Sequence, residues 1–493
     1  MRAALTAVAA AALTAMAGTP ALAAKDTVVL GMVLEPPHLD PTAGAAAAID
    51  EVTYHNVFEG LTRIDRTGAV QPALAEKWTV SPDGLTYRFD LRDGVKFHDG
   101  TAFDCSVVKF SYERALAADS VNAQKRLFEP IASVACPDPG TAVVTLKRPT
   151  SSFLFDMGWG DAVMVAPNSA AGNKTAPVGT GPFKLKRWAK GDRIELERNE
   201  AYWGPKVALK AATFRFIADP AAATAAVLSG DVDGFPQFPA AESLMQFRAD
   251  PRFTVVVGQT EGETILALNN AKKPFDDPRV RRALAHAIDR KAIVDGAMSG
   301  FGTPIGSHFS PTHPAYVDLA GTYPYDPAKA KALLAEAGVA QGTRVTLKLP
   351  PPPYARRSGE IIAAQLAKVG ITAEIIPMEW AQWLEQVFRG SDFDMTIVAH
   401  TEPMDIEIYA RDKYYFNYQD AAFKDLYKQW QATLDPAQGK ELLAAMQRKL
   451  AADEPNVFLF QLPKLGVWSA KLKGLWENFP TQAYDLTEVS WTS

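Results

Sequence analysis

The stretch from residue 344 to residue 376 constrains the fold more than any other part of the chain. Residues 344–347 and 372–376 contain the β-branched residues typical of strands, while residues 355–369 between them have the composition of a helix. A strand, a helix and a second strand in this order predict a parallel βαβ unit with a right-handed crossover. Residues 394–398 predict a further buried strand of the same sheet, so we expect an α/β fold.

The first third of the chain has a different pattern, which is typical of antiparallel strands. Residues 78–80 lead through the turn sequence Ser-Pro-Asp-Gly at 81–84 into residues 85–89, where apolar and polar side chains alternate. We therefore expect a hairpin there, within a mostly antiparallel layer that helices cover.

Residues 276–278 predict the start of a helix. Asp277 and Pro278 match the cap and the first helical position. Apolar residues then recur at four-residue spacing: Val280, Leu284, Ile288 and Ala292. One helix with a buried stripe is predicted to pass through all of these positions.

The composition permits a large apolar core and excludes some partners. Of the 493 residues, 47% are hydrophobic and 22% are charged, and a chain of this length usually forms more than one lobe. Lys and Arg number 51 against 56 for Asp and Glu, which gives a net charge of -5 without a basic stripe. Binding to nucleic acid or to an anionic membrane surface therefore has no support in the sequence.

The N-terminus has the pattern of a signal for export. Met1-Arg2 supplies a positive start, residues 3–16 are apolar and mostly small, and Ala21-Leu22-Ala23 matches a small-x-small cleavage site. We predict a Sec-type signal peptide over residues 1–23, cleaved near Ala23, and a periplasmic mature protein.

The chain contains only two cysteines, Cys105 and Cys136. A bridge between them would close a loop of about thirty residues, worth roughly 3–4 kcal/mol in the chain-entropy model. Two buried free thiols are the alternative. The oxidising compartment implied by export favours the disulfide.

Short motifs in a fixed order along the chain resemble those of a known family. They include Leu74-Ala75-Glu76-Lys77-Trp78, Arg92-Asp93-Gly94-Val95-Lys96-Phe97, Gly179-Thr180-Gly181-Pro182-Phe183, Ser229-Gly230-Asp231-Val232-Asp233, Pro274-Phe275-Asp276-Asp277-Pro278 and Tyr325-Asp326-Pro327. On these motifs the chain resembles the family-5 extracellular solute-binding proteins of bacterial ABC transporters, which include dipeptide, oligopeptide and nickel receptors.

The resemblance implies a periplasmic-binding-protein fold, with two α/β lobes, a hinge between them and an extra subdomain inserted in the first lobe. The expected division gives residues 24–52, 177–265 and 465–493 to the first lobe, residues 53–176 to the inserted subdomain and residues 266–464 to the second lobe. The implied function is capture of a solute between the lobes and delivery to an inner-membrane ABC permease. We expect a monomer that carries out no chemistry on its ligand.

The segment after the predicted strand 394–398 is the first candidate for ligand contact. Peptide receptors of this family usually carry a Gly-Trp pair there, followed by an Asp that holds the ammonium group of the ligand. Here Ala399-His400 replaces Gly-Trp, and Asp405 fits the Asp only with a one-residue gap. Glu402 is the other candidate carboxylate. We expect His400, Glu402 or Asp405 to contact ligand, with local capping and solvent exposure as the alternative.

Further candidates border the expected cleft: Glu35, Tyr54, Tyr354, Arg356, Trp380 and Trp383. Arg356 follows a proline run at a predicted helix start, where an anionic ligand group is favoured. A ligand with both an ammonium and a carboxylate group could then bind Asp405 or Glu402 at one end and Arg356 at the other. Packing of each side chain in the core is the alternative reading.

The sequence carries no recognisable catalytic motif. Neither a His-Glu-x-x-His zinc motif nor a Gly-x-Ser-x-Gly nucleophile elbow occurs, so a secreted hydrolase is disfavoured. We expect no catalytic residue, no cofactor and no resident metal. The leading ligand is a peptide or an amino-acid-like compound. A carbohydrate, an opine or a metal chelate held near His400 stays open.

Overall fold

The computed structural model describes residues 25–44, 46–402 and 404–492. The predicted signal peptide, residues 1–23, lies outside these residues. No helix among them combines the length and the apolar character that a membrane-spanning segment needs.

The structure contains β-strands along most of its length. The first ten are β1 (Thr27–Met32), β2 (Thr62–Ile64), β3 (Val70–Pro72), β4 (Ala75–Val80), β5 (Thr86–Leu91), β6 (Ile131–Asp138), β7 (Thr141–Leu146), β8 (Phe183–Ala189), β9 (Arg193–Arg198) and β10 (Ala211–Phe216). They continue with β11 (Gly234–Phe235), β12 (Phe253–Leu268), β13 (Thr303–Pro304), β14 (Thr343–Leu349), β15 (Ile371–Pro377), β16 (Met395–His400), β17 (Asn456–Ser469), β18 (Leu472–Lys473) and β19 (Ser490–Trp491).

The helices are mostly short and several begin with the same pair of residues. They are α1 (Ala47–Thr53), α2 (Cys105–Leu116), α3 (Phe153–Asp156), α4 (Pro220–Ser229), α5 (Leu244–Arg248), α6 (Pro278–Ala287), α7 (Arg290–Ala297), α8 (Pro327–Glu336), α9 (Pro353–Lys368), α10 (Trp380–Trp383), α11 (Ala421–Ala432) and α12 (Pro436–Asp453). In α4, α6, α8 and α12 an Asp caps the first turn and Pro follows it. The Asp accepts a free backbone N–H, and Pro removes another.

The predicted helix through residues 280–292 is wrong in one respect. The structure ends α6 at Ala287, leaves Ile288 in an extended conformation and begins α7 at Arg290. Asp289 causes the break, because its side chain accepts the backbone N–H of Ala292 and so caps a new helix. Ile288 is still fully buried, so the apolar spacing predicted burial correctly but not the continuity of the helix.

One large mixed sheet runs through most of the molecule. Its strand order is β15-β14-β16-β12-β17-β11-β1-β10-β9-β8, with β13 paired to β17. We call the half with β1 and β8–β11 lobe I, and the half with β13–β16 lobe II. The parallel pair β14–β15, connected through α9, confirms the predicted βαβ unit, and β16 joins the same sheet beside β14.

A separate antiparallel sheet, in the order β4-β5-β7-β6, lies within the expected inserted subdomain. The pairing of β4 with β5 across residues 81–84 confirms the predicted hairpin. Helix α2 packs on this sheet over its own apolar core. Cys105, at the start of α2, is bridged to Cys136 in β6.

The strands β12 and β17 cross between the lobes and pair with each other along most of their length. Their ladder is irregular between Gln259 and Glu263, where β12 passes from lobe I to lobe II. Beyond this point alternate residues of β12 face opposite cores of lobe II. Leu266 and Leu268 enter one core, and Ile265 and Ala267 enter the other, as the two-residue period of a strand requires.

Candidate functional site

The crossing of β12 between the lobes carries two acidic side chains, Glu261 and Glu263. Burial raises the pKa of Glu261 to about 7. Glu263 is 2% exposed, and burial together with the charges of Asp405 and Glu261 raises its pKa well above the usual value. The crossing therefore favours the protonated form of both carboxyls when nothing neutralises them.

Asp405, in the turn after β16, is held by two histidines. Its Oδ1 lies 2.7 Å from His308 Nε2, and its Oδ2 lies 3.5 Å from His400 Nδ1. His400 Nε2 in turn lies 3.0 Å from the hydroxyl of Tyr415. Burial opposes ionisation of Asp405, but His308 and His400 outweigh it and keep the pKa of this carboxyl well below its usual range. Asp405 is therefore an ionised residue whose partners are already supplied by the protein.

Glu402 lies between this histidine pair and lobe I. Ligand atoms of Glu402, His400 and Asp405 are within 4.8 Å of one another. The charge of Glu402 is also among the causes that raise the pKa values of Asp161 and Glu263. Its carboxylate accepts a hydrogen bond from the backbone N–H of Thr401 at 3.2 Å, and the residue is half-buried. Glu402 is thus the lobe II carboxylate that faces lobe I.

Two buried carboxyl groups lie together on the lobe I side, Asp50 in α1 and Asp161 in the turn Gly160–Ala162, and the charge of Glu402 acts on Asp161. Each residue is 7% exposed. Burial, then the charge of Glu402, raises the pKa of Asp161 to about 8. Burial, then the charge of Asp161, raises the pKa of Asp50. Gly160 permits the approach, since a Cβ there would stand 2.2 Å from Asp50 Oδ1.

Direct contacts join the two sides of the cleft around these carboxyls. Gln482 Nε2 donates to Thr401 Oγ1 at 3.0 Å. Arg126 Nη1 lies 2.6 Å from Glu407 Oε1, which also pairs with Arg411. The structure therefore shows the lobes in contact, with the carboxyl groups enclosed between them.

A cavity of about 1070 Å³ reaches one of the acidic side chains, Glu261. Its wall includes residues from the inserted sheet, from β12, from lobe II and from the C-terminal segment: Tyr87, Glu261, His313, Met404, Trp430 and Pro480. This is the size of a cavity that takes a drug-sized or peptide-sized ligand. Glu261 connects the cavity to the acidic side chains.

Two sets of side chains here could in principle hold a metal ion. They are Glu263, His308 and Asp405, and His400, Glu402 and Asp405, with ligand atoms within 4.8 Å of one another in each set. Asp405 belongs to both sets, so an ion bound by one set would compete with the other set for its carboxylate. His308 and His400 already contact Asp405 directly, which satisfies all three side chains without an ion.

The structure gathers some of the sequence-predicted residues around this cleft. His400, Glu402 and Asp405 lie together, and Tyr354 reaches the same strand, with its hydroxyl accepting the backbone N–H of Ala399 at 3.0 Å. Trp383 is buried and donates Nε1–H to Thr396, and Trp380 packs edge-on against it.

Other predicted residues have local partners. Arg356 is half-buried and pairs with Glu379 at 3.7 Å, and it also donates to the carbonyl of Met378. Glu35 accepts hydrogen bonds from Trp188 Nε1 and from the backbone of Gly191, which fixes the β8–β9 turn. Tyr54 is fully buried, and its hydroxyl donates to the carbonyl of Gly158. Glu35 and Tyr54 therefore have partners within the protein, and their contact with a ligand stays a prediction.

Sequence reasoning missed Glu263, Asp50, Asp161 and the role of His308. His308 contacts Asp405, while the nearby His313 contacts the sulfur of Met404. Glu263 carried a usable signal, because it lies just before the apolar end of β12, residues 265–268, where an acidic side chain is seldom buried. Asp50 and Asp161 carried none, since neither lies in a recognised motif.

The sequence matches a known family over most of its length. The family of bacterial extracellular solute-binding proteins, family 5 (middle region), matches residues 69–419. The glutathione-binding protein GsiB of Salmonella paratyphi A is 34% identical over 384 residues, which cover 76% of this chain and 73% of that protein.

Solved structures agree with this assignment. DppA from Helicobacter pylori, in complex with the peptide STSA, superposes with a TM-score of 0.84 and 26% identity over 95% of this chain and 99% of that one. AgaA from Agrobacterium tumefaciens R10, in complex with agropinic acid, gives the same TM-score, identity and coverage.

These similarities confirm the family and the two-lobed α/β fold predicted from the sequence motifs. Proteins of this family are periplasmic or extracellular, bind small ligands or peptides and work with ABC permeases. The chain therefore belongs to the bacterial extracellular solute-binding proteins of family 5 and is a solute-binding receptor of an ABC importer.

Proposed function

We propose that the receptor captures a peptide-like solute and holds its ammonium group between Glu402 of lobe II and Asp161 of the lobe I side. The observation that carries this proposal is the buried carboxyl of Asp161, whose Oδ1 has no hydrogen-bond partner among the described residues and whose pKa is raised by burial and then by the charge of Glu402. An ammonium placed between them would neutralise both and would form strong charge-assisted hydrogen bonds. It would also bridge the lobes and so stabilise the closed form.

The role of Asp405 changes in this proposal. The sequence suggested it as the ammonium anchor, but His308 and His400 occupy its carboxylate. We assign it instead to positioning, because it fixes the two imidazoles beside Glu402. The ligands named for relatives, glutathione for GsiB and the peptide STSA for DppA, support a peptide-like ligand here.

Calorimetric titration of residues 24–493 with short peptides would test the ammonium anchor. We expect a free dipeptide such as alanyl-alanine to bind, and its N-acetylated form to bind at least ten times more weakly, because acetylation removes the charge. Equal binding of the two forms would overturn the anchor. Binding of agropinic acid or a sugar, with no binding of peptides, would overturn the peptide class and leave the receptor.

We further propose that the mature protein acts as a periplasmic monomer and does not alter its ligand. The export pattern of residues 1–23 supports the location, and the solute-binding relatives support the lack of turnover. N-terminal sequencing of the secreted protein would test the location, light scattering would test the monomeric state, and recovery of unchanged ligand after long incubation would test the lack of turnover. The predicted division into two lobes and an inserted subdomain stays part of this proposal.

A further inference from the structure

We infer that the solute carries at least two positively charged nitrogen groups, so that it is a basic peptide or another short-chain polyamine rather than a neutral or acidic peptide. This inference rests on the proposed function and names its ligand class. It follows from a set of side chains that we call the acidic group: Asp50, Asp161, Glu261, Glu263 and Glu402.

The acidic group has no cationic partner of its own. Within the described part of the chain, none of its carboxylates has a Lys, Arg or His nitrogen within the 4.0 Å of an ion pair. The nearest imidazoles, His308 and His400, contact Asp405. Two guanidinium groups near the cleft, Arg126 and Arg411, both pair with Glu407. These two histidines and two arginines therefore pair with acids outside the acidic group.

Several oxygen atoms of the acidic group are also left without hydrogen bonds. Among the described residues, Asp50 Oδ1, Asp161 Oδ1 and Glu263 Oε2 are buried without a partner. The three residues are between 2% and 7% exposed, so water does not reach them freely. An unpartnered buried carboxyl group is costly, and such atoms in a native protein usually await a ligand or an ion.

The acidic group extends over more space than one ammonium can fill. On the lobe I side, Asp50 Oδ1 packs against Gly160, the neighbour of Asp161, and the charge of Glu402 acts on Asp161 from lobe II. Glu263 meets Glu261 at the crossing of β12, where Glu261 also lines the large cavity. The charge of Glu402 raises the pKa values of both Asp161 and Glu263, so Glu402 connects the two ends of the acidic group. We expect one cationic group of the ligand at each end, with the part of the ligand between them passing Glu402.

The expected ligand differs in charge from the ligand that names the GsiB relatives. Glutathione is a net-anionic peptide, and its second carboxylate would meet unpaired acids at the crossing. Like charges in a dry cleft repel strongly, so the acidic group would exclude such a ligand as well as attract a dication.

Calorimetry in EDTA-containing buffer, with probes matched in shape but not in charge, would test the inference. The probes are lysyl-alanine, norleucyl-alanine, glutathione and spermidine. We expect lysyl-alanine to bind at least ten times more tightly than norleucyl-alanine, and glutathione to bind most weakly. In the variant Glu261→Gln we expect this preference for lysine to fall to less than threefold. Asp412→Asn, at an exposed residue paired with Lys424, is the matched control and should change nothing.

The outcomes separate the two proposals. If norleucyl-alanine or glutathione binds as tightly as lysyl-alanine, the charge inference fails and the peptide proposal stands. If spermidine binds and no peptide does, the charge inference stands and the peptide proposal fails. If no probe binds to protein that melts cooperatively, both fail. Glu263→Gln provides a second variant at the crossing, with the same expected loss of preference for lysine.

Discussion

Asp405 and Asp161 are both almost completely buried at the same cleft, yet they are held in opposite charge states. Asp405 has His308 and His400 against its carboxylate, and its pKa lies well below the usual range. Asp161 faces the acid Glu402, and its pKa is raised to about 8. The two are 3% and 7% exposed, so burial alone does not explain the difference. The difference lies in their partners. Two histidines contact the carboxylate of Asp405, whereas Asp161 Oδ1 has no hydrogen-bond partner among the described residues, and we propose that a ligand supplies it.

A third buried carboxyl in lobe I supports this distinction. Asp485 lies 3.1 Å from His55 and 2.7 Å from Arg63, and the pKa of its carboxyl is held well below the usual range against the effect of burial. Asp485 joins the C-terminal segment to residues of the N-terminal part. Like Asp405, it is a buried acid with cationic partners from the protein, and in this it differs from Asp161.

The largest expected effect is the loss of stability on removing Asp405. Asp405→Asn should lower the free energy of unfolding by about 3 kcal/mol at pH 7, because two buried histidines lose their acceptor. A carboxyl with a lowered pKa contributes stability above its unfolded value near 4 and loses it as the pH falls towards the folded value. The wild-type protein should therefore lose this contribution in acid, and the variant should show no such loss. Urea denaturation between pH 3 and pH 7 measures both, and an unchanged midpoint at pH 7 would refute the structural role.

The next effect concerns ligand affinity at the unpaired acids. Glu402→Gln combined with Asp161→Asn should weaken peptide binding by roughly 2 kcal/mol, about thirty-fold, because a charge-assisted contact is lost on each side. The enthalpy and affinity are measured by calorimetry, with Asp412→Asn as control. An affinity within threefold of the wild type would refute the proposed binding of the ammonium by Glu402 and Asp161. It would also refute the proposed difference in role between Asp161 and Asp405.

Asp161→Asn alone, which should weaken ligand binding, should stabilise the ligand-free protein. Asp161 has a raised pKa, so its contribution to stability is present below its unfolded value near 4 and is lost as the pH rises through about 8. Asp161→Asn escapes this loss and should be more stable than wild type by at least about 1 kcal/mol at pH 9, since each unit of pKa shift is worth about 1.4 kcal/mol, with little difference at pH 4. Thermal melts across this range provide the test. A variant that is destabilised at pH 9 would show that Asp161 is a structural acid like Asp405.

The smallest expected effect is at the pair between the lobes. Arg126 and Glu407 are 28% and 18% exposed, so their pairing is worth about 0.5 kcal/mol. Arg126→Gln should weaken ligand binding two- to threefold, by opening the closed form, without changing the preference for basic over neutral peptides. Scattering of the ligand-free protein would report the opening. A change in that preference would instead place Arg126 among the ligand contacts.

Local features of the fold could be predicted from the sequence, and contacts between distant segments could not. The hairpin at residues 81–84 and the βαβ unit followed from neighbouring residues, as did the start of α6. The end of α6 did not, because Asp289 competes as a cap against a continuous apolar stripe. His400 and Asp405 were found because they are close in sequence. Their partner His308 comes from a distant segment of lobe II, and the opposing Asp161 comes from the other side of the cleft.

The irregular ladder between Gln259 and Glu263 has a mechanical consequence. The large sheet is continuous through both lobes, so they cannot slide past each other without breaking strand pairing. Bending is cheapest where ladder bonds are already missing, and Glu261 lies within that interval. A cation bound to Glu261 would lie at the hinge itself, where a small local bend produces the largest displacement at the outer edges of the two lobes. The angle between the lobes would then depend on whether a cation is bound at this short segment of β12.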